Sequence, residues 1–240
     1  TWEHSSSGYS AEQGKARIRE ILENQKAGNF NAVLWQARQS GTSYYNSPYE
    51  PWGYYVGSED PGYDPLAYAI QEGHKRGLEV HAWFNVFQTS STAPGAPAAE
   101  HPEWICRDGN GNPMSESIAL SPGLEEVREY TVQVAMEIVR NYDIDGLHLD
   151  YVRWNEYDNS DFSSHFARQA EERPRKFDGI ISPEHLRHLQ QVSNQDRYLY
   201  DVNHPYSAGV PSGFGSWEEW WRWSVTEIVR TLHDSIQAEK

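Results

Sequence analysis

Ile144-Asp145-Gly146-Leu147-His148-Leu149-Asp150-Tyr151-Val152 decides the fold. The run is short and rich in apolar residues, and it follows a helical pattern in which Val127, Tyr130, Val134 and Ile138 fall on one face. It reads as a buried strand. Side chains alternate across a strand, so Gly146, His148 and Asp150 share one face and Leu147 and Leu149 the other. The leucines suit a covering layer of helices. The polar set then faces the inside of a curved sheet, where Gly146 leaves room and Asp150 stands last before the loop.

Two earlier runs repeat this pattern: Asn31-Ala-Val-Leu-Trp-Gln-Ala-Arg38 and Leu78-Glu-Val-His-Ala-Trp-Phe-Asn85. In the second, Glu79, His81, Trp83 and Asn85 oppose Val80, Ala82 and Phe84. In the first, Gln36 and Arg38 share a face at the C-terminal end. Strands separated by helices pair in parallel, and parallel barrels collect their reactive groups at the C-terminal strand ends. Polar groups from three strands are therefore expected at one mouth. A core built only for stability would not choose them, because every buried polar group needs a partner.

The helices between are signalled by their caps. Ser10 with Gln13 forms a capping box ahead of Ile18, Ile21 and Leu22, with a stop near Gly28. Asp64-Pro65 is a cap followed by proline in the first turn, and that helix ends near Gly77. Ser121-Pro122 is read as a third start. Ser216 with Glu219 is a second capping box, opening a last helix whose apolar set is Val225, Ile228, Val229, Leu232 and Ile236. Thr1-Trp2-Glu3 reads as the tail of a first strand. Asp108-Gly109-Asn110-Gly111 is a hairpin turn, since it lacks the acidic spacing of a calcium loop. Residues 154–215 are polar and irregular, with a short helix from Ser182-Pro183, and read as an insertion over the catalytic face. Residues 1–240 are taken as one domain.

Composition narrows the function. The formal net charge of −15 disfavours nucleic acid, because phosphates reward Lys and Arg. No apolar stretch is long enough to span a membrane. One cysteine, Cys106, allows no intrachain disulfide. The 10 Trp and 15 Tyr suit either core packing or platforms for sugar rings. A phosphate-binding loop and a Gly-x-Ser-x-Gly nucleophile elbow are both absent from the sequence. No cofactor and no metal are expected.

Several stretches taken together resemble the glycosyl hydrolase-like family ten domain of bacterial cell-envelope proteins. They are Asn31–Arg38, Tyr45-Asn-Ser47, Gly62-Tyr-Asp-Pro-Leu66, His74–Glu79 with His81–Asn85, His101-Pro-Glu-Trp-Ile105, and Tyr142–Tyr151, in the family's order. The resemblance implies a (β/α) TIM-type barrel and hydrolysis of a bacterial glycan, with some relatives acting on peptidoglycan strands stripped of their peptides. It also implies an extracytoplasmic setting (secreted, periplasmic or cell-envelope associated), with the signal sequence not in this chain. The last helix, with Trp220-Trp-Arg-Trp-Ser-Val225, is similar to the family helix after the fourth strand. The chain is therefore expected to hold the N-terminal half to two-thirds of the barrel, with further strands beyond Lys240. Self-association is expected if the barrel is incomplete, because open strand edges invite pairing. Where the family commonly has a second acid after its strand-four Asp, this chain has Tyr151.

Glycoside cleavage normally takes two carboxyl groups. Asp150 is expected to be the nucleophile or ionised stabiliser. The proton donor is open: relatives draw it from a later strand, and Glu3, Glu156 and Asp158 are the in-chain candidates. Substrate contacts are expected from Gln36, Arg38, His81, Asn85 and His148, with Arg38 also able to pair with Asp150. Trp83, Trp52, Tyr45, Tyr151 and Trp154 are the stacking candidates, and Arg153 is expected to clamp the loop. Asp143 and Asp145 sit at the stability end of their strand. Two rivals stand beside this reading: a non-catalytic glycan-binding module, and a metal hydrolase using His4, His81, His148 and Asp150.

Overall fold

The computed structural model describes residues 8–114, 118–154 and 199–239. Four strands form one sheet in the order β2-β1-β3-β4. Strands β1 (Ala32–Gln39), β3 (Glu79–Asn85) and β4 (Gly146–Asp150) are parallel neighbours. The short β2 (Thr42–Ser43) turns back antiparallel on β1. It escapes a periodicity reading because it is only two residues long. Ser40 and Gly41 between them both have positive φ, 58° and 76°, as a tight two-residue hairpin requires.

Helices α1 (Ala11–Ala27), α2 (Pro65–Lys75), α3 (Glu125–Asn141) and α4 (Trp217–Glu239) complete the frame. The Ser10–Gln13 capping box is present in both directions, and the Asp64 side chain accepts from Ala67 N–H. The alternation read in β3 holds: Val80, Ala82 and Phe84 are fully buried among Ile18, Leu22, Leu66, Val134, Ile138, Ile228 and Leu232. Glu79, His81 and Trp83 lie on the other, more open face.

Two helix readings need correction. α3 begins at Glu125, not at Ser121-Pro122. Ser121 Oγ instead donates to Asp201 Oδ2 at 2.7 Å and accepts from Gly123 N–H. In α4 the buried apolar positions are Ile228 and Leu232, joined by Trp220 and Trp221, whereas Val229 is 41% exposed. The Ser216 cap takes Glu219 N–H, but the Glu219 carboxylate turns to Gly215 N–H, so the second box closes on only one side. Asp108 forms the expected turn, its Oδ1 accepting from Asn110 and Asn112. Of residues 154–215, those from 199 on are irregular apart from a 3-10 turn at Tyr206–Ala208. Thr1–Glu3 and the helix expected from Ser182 lie outside the described residues.

Candidate active site

Asp150 is the last residue of β4 and lies across from Asn85 in register, one step beyond Phe84–Leu149 and two beyond Trp83–His148. Its carboxylate is held from two sides. The Trp83 indole N–H donates to Oδ2 at 3.0 Å, and the Tyr151 backbone N–H donates to Oδ1 at 2.8 Å. The backbone continues the sheet past this point, with Val86 N–H donating to Asp150 O at 2.8 Å. Each carboxylate oxygen keeps acceptor capacity beyond its single bond. Among the described residues no cation pairs with Asp150.

The chain turns sharply after Asp150. Tyr151 has φ +50°, a left-handed conformation that costs a non-glycine residue about 1 kcal/mol or more. The Arg153 guanidinium lies over the Tyr151 ring at 5.6 Å. Local strain is thus spent to bring a backbone N–H onto the Asp150 carboxylate.

Two residues back along β4, the His148 ring stands edge-on to Trp83 at 5.9 Å. His81 lies opposite Gly146. Any side chain at position 146 would run into the His81 ring, which explains the glycine. His81 pairs through Nε2 with Glu79 at 3.2 Å. It sits four residues below the Asn85–Asp150 pair, roughly 13 Å along the strand. That separation places His81 away from Asp150, and it breaks the His81–His148–Asp150 ligand set, since metal ligands crowd within about 2 Å of one ion. His4 lies outside the described residues. Among the described residues no group of three or more His, Cys, Asp or Glu side chains could hold a metal ion.

Gln36, Asn85 and Gln88 form a chain of amides beside this face. Gln36 Nε2 donates to Arg38 O at 2.6 Å and to Trp83 O at 3.3 Å, with Asn85 Oδ1 more distant at 3.5 Å. Asn85 Nδ2 donates to Gln88 Oε1 at 3.2 Å. Gln88 was missed by the strand pattern because it lies beyond the end of β3.

Four expected substrate contacts, Arg38, Tyr45, Trp52 and Trp154, fall elsewhere. β1 and β3 slip register between Gln36 and Arg38, so that Gln36 opposes Trp83 while Arg38 opposes Phe84. An extra residue in one strand moves the residues after it to the opposite face. Arg38 therefore points into the helix layer, over the Phe84 ring at 4.9 Å. It is fully buried and pairs with Glu50 at 2.7 Å, not with Asp150. Its guanidinium also donates to the Asn85 and Val86 carbonyls. Burial opposes the Arg38 charge, but the Glu50 carboxylate outweighs it and the Arg38 pKa is raised. Tyr45 is fully buried too. Its hydroxyl donates to Glu137 Oε2 at 3.1 Å and its ring packs edge-on to Tyr142. Trp52 is half-buried against the same core. Trp154 packs on Trp220 at 5.1 Å and donates to Ser224 Oγ. At the other end of the sheet, Asp145 accepts from Val80 N–H and pairs with His74, a structural role. Glu156 and Asp158 lie outside the described residues.

The glycosyl hydrolase-like 10 family profile matches residues 4–240. The chain belongs to this family. Among its relatives, the glycosyl hydrolase YngK of Bacillus subtilis is 36% identical over 156 residues, which is 61% of this chain and 29% of that protein. The glycosyl hydrolase DigH of Escherichia coli is 33% identical over 156 residues, 58% of this chain and 34% of that protein. An S-layer-related protein of Niallia circulans is 26% identical over 201 residues, 75% of this chain and 11% of that protein. The match thus spans about a third or less of each relative's length. No helix among the described residues is long and apolar enough to cross a membrane.

Proposed function

We propose that this glycosyl hydrolase-like 10 chain contributes the Asp150 face of a (β/α)-barrel that cleaves O-glycosidic bonds in a bacterial cell-envelope glycan. The observation that carries the reading is the carboxylate at the C-terminal end of β4, gripped by the Trp83 indole and the Tyr151 amide. Two directed N–H donors fix the orientation of the group while leaving lone pairs for chemistry. Asp150 serves as nucleophile or ionised stabiliser. The second carboxyl group that cleavage normally requires is drawn from elsewhere, since Tyr151 stands beside Asp150. Gln88 and His148, both partly exposed, suit sugar hydroxyls, while the buried amides of Gln36 and Asn85 brace the strand ends beside them. Trp83 holds the carboxylate. An extracytoplasmic setting follows from a polymeric envelope substrate and agrees with a relative named as S-layer-related.

The Tyr151 position supports a second reading, a module that binds glycan without turnover. One experiment separates the two: incubate the full-length protein and its Asp150→Asn variant with peptidoglycan glycan strands freed of peptides. Hydrolysis by the parent and a loss of about a thousandfold or more in the variant is the expected result, of the size seen when a reacting group is removed. Binding without hydrolysis by either protein would establish the module. Undiminished hydrolysis by the variant would remove Asp150 from the mechanism.

A further inference from the structure

A second cleft, of about 740 Å3, opens between the start of α3 and residues 203–214 ahead of α4, against the first turns of α4. In a parallel βα arrangement the helix N-termini stand at the C-terminal ends of the strands, so this cleft shares the Asp150 end of the sheet. Its volume lies within the range of about 300–1,000 Å3 typical of small-molecule sites. Its walls are aromatic: Trp220 is buried, Trp223 is 37% exposed, and Phe214 meets Trp223 at 5.2 Å. Gly123 allows the wall to close, since a side chain there would run into Trp220 and Asp201.

His204 faces this space, its ring 4.7 Å from Trp220. Asp201, buried behind it, fixes the ring. Asp201 Oδ1 accepts from His204 Nδ1 at 2.9 Å and from the backbone N–H groups of Asn203 and His204, while Oδ2 accepts from Ser121 Oγ at 2.7 Å. With Nδ1 committed to Asp201, Nε2 is the ring nitrogen left to a ligand, and it makes no hydrogen bond among the described residues. Ser121 bonds to the carboxylate and not to the ring, so this is no nucleophilic triad. Arg128 is the cleft's one lysine or arginine among the described residues. Its guanidinium is taken up by the carbonyls of Pro122 and Gly123 and by the Trp223 face at 5.0 Å. Glu125 and Glu126 sit on the wall. An anionic ligand would meet two carboxylates and a committed arginine. An uncharged ligand with hydroxyl groups and C–H faces would meet a ring nitrogen, to which a hydroxyl can donate or from which it can accept, and aromatic rings.

We propose that this cleft is a second glycan-binding site, holding those sugar rings of the polymer that carry no acidic group, away from the bond that Asp150 serves. The proposal rests on the glycan reading for the class of its ligand. The test measures binding of peptide-free glycan strands by calorimetry in the Asp150→Asn background, with His204→Ala and Trp223→Ala added singly. Each is expected to weaken binding about five- to tenfold, the worth of one hydrogen bond or one ring contact, with both variants still folded, by circular dichroism, at the temperature of the titration. The 15N signal of His204 Nε2 is expected to move when strands are added, a response that a purely structural histidine would not give. Parent-like affinity in both variants with a stationary Nε2 signal would overturn the second site and leave the proposed function standing. Failure of the parent itself to bind strands would overturn both.

Discussion

On the helix side of the sheet, Arg38 and Glu50 meet at 2.7 Å with neither side chain exposed. On the opposite face of the sheet, Asp150 takes N–H groups from Trp83 and Tyr151 and pairs with no cation among the described residues. Both arrangements sit near the C-terminal ends of the strands, and both place a carboxylate against neighbouring donors. They differ in what is left over. Glu50 receives Nε and Nη2 of one guanidinium together with the Tyr130 hydroxyl. Arg38 spends its remaining donors on backbone carbonyls. That set is closed, as a buried ion pair must be to offset its desolvation. Asp150 is oriented but not neutralised. A carboxylate aimed by neutral donors stays free to meet charge that develops on a substrate.

The comparison breaks most visibly if Arg38 proves dispensable. Arg38→Ala leaves Glu50 buried with only Tyr130 as a partner, and it should cost about 3–5 kcal/mol of stability, as when one half of a buried pair is removed. Urea denaturation measures this directly. The double change Arg38→Met with Glu50→Gln removes both charges and should recover part of the loss. A single-variant cost under about 1 kcal/mol, the worth of an exposed pair, would mean that the helix-side set is not closed.

Trp83→Phe sharpens the other half. It keeps a ring beside His148 and removes the indole N–H. Hydrogen bonds to charged groups contribute about 1.5–3 kcal/mol, so glycan hydrolysis should fall roughly ten- to a hundredfold. The loss should appear in kcat rather than KM, because the affected group is Asp150 and not a sugar contact. Stability should change far less than for Arg38→Ala. If kcat is unchanged, the indole is packing and nothing more.

The same contrast marks what could be read from sequence. The helix caps at Ser10 and Asp64 and the alternation in β3 are local patterns, and local patterns survive folding. The shared face of Gly146, His148 and Asp150, which touch His81 and Trp83 of β3, followed from alternation alone. Arg38 did not, because a slip of one residue in the β1–β3 register leaves no mark in the composition of Gln36-Ala37-Arg38. Tyr45 belongs to a loop by its neighbours, yet its partner Glu137 is 92 residues away. Asp201 and His204 carry no motif; they become a unit only when Ser121, 80 residues earlier, folds against them. Sequence thus showed which faces exist, while the pairing of charges across elements needed the structure.

Glu137 gives the smallest effect and the finest test of the closed helix side. Its carboxyl pKa is raised, first by burial and further by the Glu50 and Asp64 carboxylates, while hydrogen bonds from Ser47 and Tyr45 act in the opposite sense. A raised carboxyl binds its proton in the folded chain at a pH where the unfolded chain has released it. Its contribution is fully present below the ordinary glutamate range and is lost as pH rises through the raised value. Glu137→Gln keeps an acceptor for Tyr45 and Ser47 but has no proton to lose. Thermal unfolding followed across mildly acidic to neutral pH should therefore show the parent losing stability relative to the variant as pH rises. The two should differ least at the acidic end, where Glu137 is protonated in both states. Parallel curves would mean that Glu137 reaches water well enough to ionise freely. The helix side would then contain a carboxylate as open as Asp150, and closure could no longer be what separates the two faces.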